Sequence, residues 1–210
     1  MKKILSALVA LALMLCSFAL AEAIHPMDNN PDLQNGAYPA AFEQKALADG
    51  TVKNLHIYTI DRYGKDDIAN LAVGDTLFIE GKEVEITALE KESDTSVLIN
   101  GGYDNNGYTM QWYDPDPEYD ENNIFNCWMS VADNDYHTYT EYGVADYEMD
   151  PEEITFVDSW DIDAPKVIVT GLDNVTKAIT EADGPSFSEY NTEVTLENGR
   201  IVEIHRDYIP

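Results

Sequence analysis

Cysteine and cationic side chains are the two things this 210-residue chain has least of. It holds two cysteines and 12 lysines and arginines, against 40 aspartates and glutamates, for a formal net charge of −28. The cysteines are Cys16 and Cys127, and Cys16 lies in an N-terminal apolar run, so a chain that loses that run has no internal disulfide. The shortage of cations argues against nucleic acid as a partner, because phosphate contacts need a basic footprint. Attraction to an anionic membrane surface is disfavoured for the same reason. Also missing are the HExxH zinc motif, a glycine-rich phosphate loop, Gly-x-Ser-x-Gly and Cys/His zinc spacing. No repeat of solenoid type is present.

Apolar residues make up 44% of the chain, which argues for a folded protein despite the charge. Lys2-Lys3, the apolar run Ile4 to Leu20 and the small-x-small sites Ala19-Leu20-Ala21 and Ala21-Glu22-Ala23 read as a cleaved export signal over residues 1–23. Ile24-His25-Pro26 supplies no stop-transfer charge cluster, and Leu15 stands where a lipoprotein signal has a small residue. The expectation is a bacterial secreted or extracytoplasmic protein with no stable membrane anchor after cleavage. Its size lets it dispense with disulfides.

Residues 24–36, rich in Pro, Asn and Asp, read as a flexible leader. Residues 37–210 read as a β-rich extracellular domain, either one unit or two subdomains, 37–100 and 101–210. Short apolar runs with turn signals every 8–12 residues predict a mainly β fold: an antiparallel sandwich or a small, partly open barrel. Val52, Leu55, Ile57, Tyr58 and Ile60 form a strand candidate, and Asp66 to Leu71 a helical turn. Leu77, Ile79, Val84 and Ile86 alternate around Gly81-Lys82, predicting a two-residue loop that pairs Ile79 with Val84 and Leu77 with Ile86. One short helix is expected near 173–183, capped by Asp173, with Val175, Ala178, Ile179 and Ala182 as its apolar stripe and Gly184-Pro185 as its stop. It stands between Lys166–Thr170 and a C-terminal hairpin, giving a β-α-β-β tail. For that hairpin, a three-residue loop over Glu197–Gly199 gathers Val194, Leu196, Val202 and Ile204 on one face and turns Ile201 outward.

Between Lys91 and Lys166 lie 74 residues with no lysine or arginine, 19 acids, all three tryptophans and 8 of the 13 tyrosines. Two like charges about 6 Å apart in water repel by about 0.7 kcal/mol before screening. Crowding of this kind invites a bound cation. Asp114, Asp116, Glu118 and Asp120 alternate in DPDPEYDE, hard oxygen donors suited to calcium. The EF-hand pattern does not fit them: a loop starting at Asp114 has Tyr119 and Phe125 where Gly and Glu belong. The alternative is a solvated loop kept extended by Pro115 and Pro117. Trp112, Tyr113, Trp128 and Tyr136 are the candidate ligand-binding aromatics, for a glycan or, given the acidity, a basic protein partner.

Cys127-Trp128 is similar to the Cys-Trp pair of papain-like and transglutaminase-like enzymes. Those nucleophiles open a helix, whereas Ile124-Phe125-Asn126 reads as a strand. His56, Cys127 and Arg200 or Arg206 follow a sortase-like order, without that family's Thr-x-x-Thr-Cys pattern. A buried, inert Cys127 is the plainer reading. The expected function is therefore a secreted acidic non-catalytic binding module, stabilised by calcium if 114–120 converge. The alternative is a cysteine-dependent peptidase or transpeptidase using Cys127 with a histidine.

Overall fold

The computed structural model describes residues 23–27, 31–112, 124–131 and 134–209. The fold is mainly β, as the spacing of turns predicts, and is built on a curled, open sheet. In chain order the strands are β1 (Gly36–Ala41), β2 (Leu47–Ala48), β3 (Thr51–Ile60), β4 (Arg62–Gly64), β5 (Thr76–Ile79), β6 (Lys82–Glu85), β7 (Leu89–Ser93) and β8 (Ser96–Ile99). They continue with β9 (Tyr108–Trp112), β10 (Ile124–Val131), β11 (Asn134–His137), β12 (Tyr139–Glu148), β13 (Thr155–Ser159), β14 (Val167–Thr170), β15 (Thr192–Glu197) and β16 (Arg200–Asp207). Helix α1 spans Lys65–Ala69 and α2 spans Leu172–Thr180.

The first sheet runs β12-β3-β1-β15-β16-β13-β14, with β2 added beside β3. The second runs β11-β10-β9-β8-β7, with β4 beside β10, and β5-β6 stands as a separate hairpin. Neighbouring strands are antiparallel except β13 and β16. Each sheet has its own core. Ala40, Leu55, Ile57, Phe156, Val194, Leu196, Ile201 and Ile204 pack on one side of the first, under Val175 and Ile179 of α2. Tyr63, Ile68, Leu77, Ile79, Ile86, Ile99, Met110, Phe125 and Cys127 form the second. The second core comes wholly from residues 63–127, between two strands of the first sheet, β3 and β12.

The chain therefore crosses between sheets twice, at Asp61 and at Thr138, and the crossings are bonded together. The Asp61 N–H donates to the Thr138 carbonyl (3.0 Å), Thr138 N–H to Cys127 (2.9 Å), and Cys127 N–H to Asp61 (3.1 Å). The buried Asp61 carboxylate accepts the Glu80 N–H (2.9 Å) and the Thr140 hydroxyl (2.6 Å). Burial raises its pKa, while those two donors pull the other way. Ile24 docks on the hairpin: its N–H donates to Thr76 and its carbonyl accepts from Phe78, both at 2.9 Å.

Three local expectations are corrected. In β5-β6 the loop is Glu80-Gly81, both left-handed (φ 51° and 73°), so Leu77 faces Val84 and Ile79 faces Lys82. Every pairing shifts by two residues, which keeps the predicted face: Leu77, Ile79 and Ile86 are buried and Val84 packs against them. Two consecutive left-handed residues suit the strand twist. The shift also sets Lys82 within 2.8 Å of Glu80, where the predicted register opposed Glu80 to Glu83. In β15-β16 the loop is Asn198-Gly199 (φ 52° and 75°), with Leu196 opposite Ile201. A bulge at Val202 then restores Val194 opposite Ile204. Ile201 is thus fully buried, not outward, and Val202 is the half-buried residue. Helix α2 starts after Gly171 (φ 83°), with no side-chain cap. Asp173 lies in its first turn, where its charge meets the positive end of the helix dipole.

Candidate functional site

A groove of about 860 Å³ lies where β1 ends, β3 begins and the segment after α2 returns. Its floor is a stacked pair, Phe42 and Phe187, with ring centroids 4.6 Å apart and a backbone bond from Phe42 N–H to Phe187 (3.3 Å). The residues after Phe42 form a 3-10 turn, Gln44–Ala46. The Gln44 amide holds that turn on α2 by donating to the Ile179 and Ala182 carbonyls (3.3 and 2.6 Å), the first of which also accepts the Ala182 N–H.

Strand β3 supplies the opposite wall. Asn54 is left-handed (φ 49°), a conformation asparagine tolerates, and its N–H donates to Asp146 (3.1 Å) at an irregularity in the β12 register. Lys53 bonds the same carboxylate at 2.8 Å. Those two bonds, Lys53 first, hold the Asp146 carboxyl below the usual carboxylate range. His56 Nδ1 lies 2.7 Å from Glu141 and its ring stacks beside Tyr58, centroids 6.4 Å apart. Burial, and then the Glu189 and Glu141 charges, push the Tyr58 phenol up to about 12, so it is a hydroxyl donor at neutral pH. Lys45 pairs with Glu43 at 3.2 Å.

Arg206, fully buried on β16, fixes the third wall. It grips Asp158 through Nε (2.9 Å) and a terminal nitrogen (2.6 Å), and donates to the Asp183 and Pro185 carbonyls, both at 2.8 Å. Its guanidinium lies 4.7 Å from the Phe187 ring centroid. Gly184 is left-handed (φ 92°), and a Cβ there would meet the Trp160 ring at 2.5 Å, so only glycine fits this turn. The segment 183–187 is thereby set against Phe42, bringing Ser186 into the groove wall.

The lining thus mixes cation, carboxylate, hydroxyl and amide groups over an aromatic floor. Its one histidine, His56, is engaged with Glu141, and its one acid, Glu43, pairs with Lys45. The arrangement can hydrogen-bond a polar ligand in both senses.

The residues singled out from sequence fall elsewhere. Tyr113, Asp114, Asp116, Glu118 and Asp120 lie outside the described residues. Trp112, opposite Phe125, packs half-buried on the second core, with the Lys65 ammonium 5.9 Å from its ring centroid. Trp128 and Tyr136 are linked only through other rings, His137, Tyr139 and Tyr190, in a run at the junction of the sheets, and the register pairs Trp128 with His137 and Tyr136 with Met129. Trp128 lies on His137 (3.8 Å), Tyr136 on Tyr190 (4.9 Å), and Tyr190 against Tyr139 (5.6 Å). Trp128 Nε1 and His137 Nδ1 are buried without a hydrogen-bond partner among the described residues. Burial, and then the Arg62 charge, lower His137 to about 4.

Cys127 is fully buried in the second core, and that burial pushes its thiol up. His56, His205, Arg200 and Arg206 all stand on the first sheet, each paired with a carboxylate. The cation-free stretch is not left to itself either. Asp146 and Asp158 meet Lys53 and Arg206, while Glu148 and Asp150 meet Arg200. Flanking segments thus supply cations to these acids, which removes them from the argument that crowding demands a bound ion.

The groove was not legible beforehand. Phe42 and Phe187 are 145 residues apart, Lys53, Asn54 and Tyr58 read only as part of a strand, and His56 stood out only for a sortase-like order with Cys127. The one available signal was polar residues alternating with Leu55 and Ile57. The class defined by fold and site is a mainly β protein with a curled open sheet and an open polar groove. Comparison with family models, with curated proteins and with solved structures finds no match.

Proposed function

We propose that this protein is a non-catalytic binding module working outside the cytoplasm, and that the groove over Phe42 and Phe187 holds a neutral saccharide. The observation that carries the reading is the lining itself. Lys45, Lys53, Asn54, Tyr58, Thr180 and Ser186 offer donors, and Glu43 offers an acceptor within reach of the same space. Sugar hydroxyls donate and accept at once, so a wall of both kinds satisfies them where a single-sign wall would not. The His56–Tyr58 ring pair supplies a flat face of the sort that sugar rings cover. The size fits a small-ligand site. The surface ion pairs in the wall are exposed and worth at most about 1 kcal/mol each, so a ligand can exchange with them.

Calorimetric titration with a panel of neutral oligosaccharides tests the reading. At least one member is expected to bind with millimolar or better affinity, and Tyr58→Ala to weaken it by about tenfold, or about 1.4 kcal/mol. The reading fails if no member binds, or if Tyr58→Ala and Lys53→Gln both leave the affinity unchanged.

A further inference from the structure

Strand β14 is the last in its sheet, and among the described residues no strand pairs with its outer side. Natural edge strands are commonly blunted by charge, proline or a bulge. This one reads Val167-Ile168-Val169-Thr170, with Val167 51% and Ile168 63% exposed. Ile162, in the turn leading to it, is 72% exposed. The register brings in a fourth apolar side chain. Val167 lies opposite Asp158, and the next residue of β13, Ser159, lies beside Asp207 of β16. Tyr208, 47% exposed, therefore follows at the same end of the sheet. Half of the large exposed hydrophobics among the described residues thus lie on β14, in the turn before it or just past the end of β16, with Val167 and Ile168 on opposite faces of the strand.

Acids surround this patch. Asp161 and Asp163 sit in the turn before β14, Asp173 follows in α2, and Asp207 ends β16, with Lys166 the one cation in the segment from Asp161 to Asp173. A bare backbone edge, apolar side chains on it and carboxylates around it call for an extended segment that alternates apolar and basic residues. A second copy does not meet that description, since each copy carries a formal charge of −28. We infer that β14 is a docking edge, at which a basic, strand-forming segment of a partner protein adds to the first sheet.

The probe is an end-blocked octapeptide alternating lysine and valine, titrated into the isotopically labelled full chain and followed by amide hydrogen exchange. The expected result is slowed exchange over 167–170, with an affinity that falls as salt is raised. Ile168→Lys, on a residue exposed enough to leave the fold intact, is expected to weaken binding at least about tenfold, while the melting temperature is unchanged. The inference is overturned if an alternating glutamate-valine peptide binds as well, if protection appears elsewhere, or if Ile168→Lys has no effect. Concentration-dependent protection of 167–170 without peptide would also overturn it, by showing that a second copy covers the edge.

Discussion

Arg206 does more to shape the groove than any residue that lines it. A buried cation is costly unless paired and fully bonded, and its hold on Asp158, Asp183 and Pro185 meets that condition while fixing the loop that carries Ser186 and Phe187. Arg206→Met leaves the part-buried Asp158 unpaired, so urea unfolding is expected to show a loss of about 3 kcal/mol, the lower end for breaking a buried pair. Changing Asp158 to leucine as well is expected to restore part of it; a single variant within 1 kcal/mol of the parent would contradict the assignment. Nothing local in the sequence signals that Arg206 is buried, because the partners that make burial tolerable lie 21 to 48 residues away. His137 carries the clearest pH dependence. Its folded-state pKa, about 4, lies below the ordinary value of 6.5, so the unfolded chain takes up a proton first as the pH falls. Stability from this group is complete above pH 6.5 and is lost between 6.5 and 4. The melting temperature should fall over that window, and His137→Phe should flatten the fall.

At the scale of elements, periodicity located most of the pieces and turn chemistry located their ends less well. Helix α2, the β-α-β-β tail and the buried face of the β5-β6 hairpin follow from the spacing of apolar residues, which burial enforces directly, whereas on β16 the spacing turned Ile201 outward and the structure buries it. The two hairpin loops were misplaced by one residue each. In β5-β6 the deciding contact is the Asp61 carboxylate on the Glu80 N–H, a long-range bond that local sequence does not announce. In β15-β16 the predicted three-residue loop is one residue too long, and the bulge at Val202 takes up that residue while keeping Val194 opposite Ile204. That account makes an asymmetric prediction. Deleting Val202 leaves Leu196 opposite Ile201 and Val194 opposite Ile204, so the variant should fold with a loss under about 2 kcal/mol. Inserting an alanine after Val202 turns Ile204 and Arg206 to the wrong face and should abolish cooperative unfolding. Equal damage from both changes would show that the bulge is not what sets the register.

For the molecule as a whole, the fold class and the acidity were legible from composition and spacing, whereas the groove was not. Its walls come from three segments spread over residues 41–187, and no short window of sequence holds more than one of them. The charge has consequences at this scale too. A chain at −28 with few cations repels itself when compact, and its exposed pairs recover little, so raising sodium chloride from 0.01 to 0.5 M should increase the melting temperature, by screening. A decrease would mean that the ion pairs outweigh the repulsion. The central claim, that the groove over Phe42 and Phe187 is where a saccharide binds, is tested most directly by amide shift mapping with whichever neutral oligosaccharide binds. The account expects the largest shifts at Lys53, Asn54, His56, Tyr58 and Ser186; shifts confined to the rings around Trp128 and Tyr136 would contradict it.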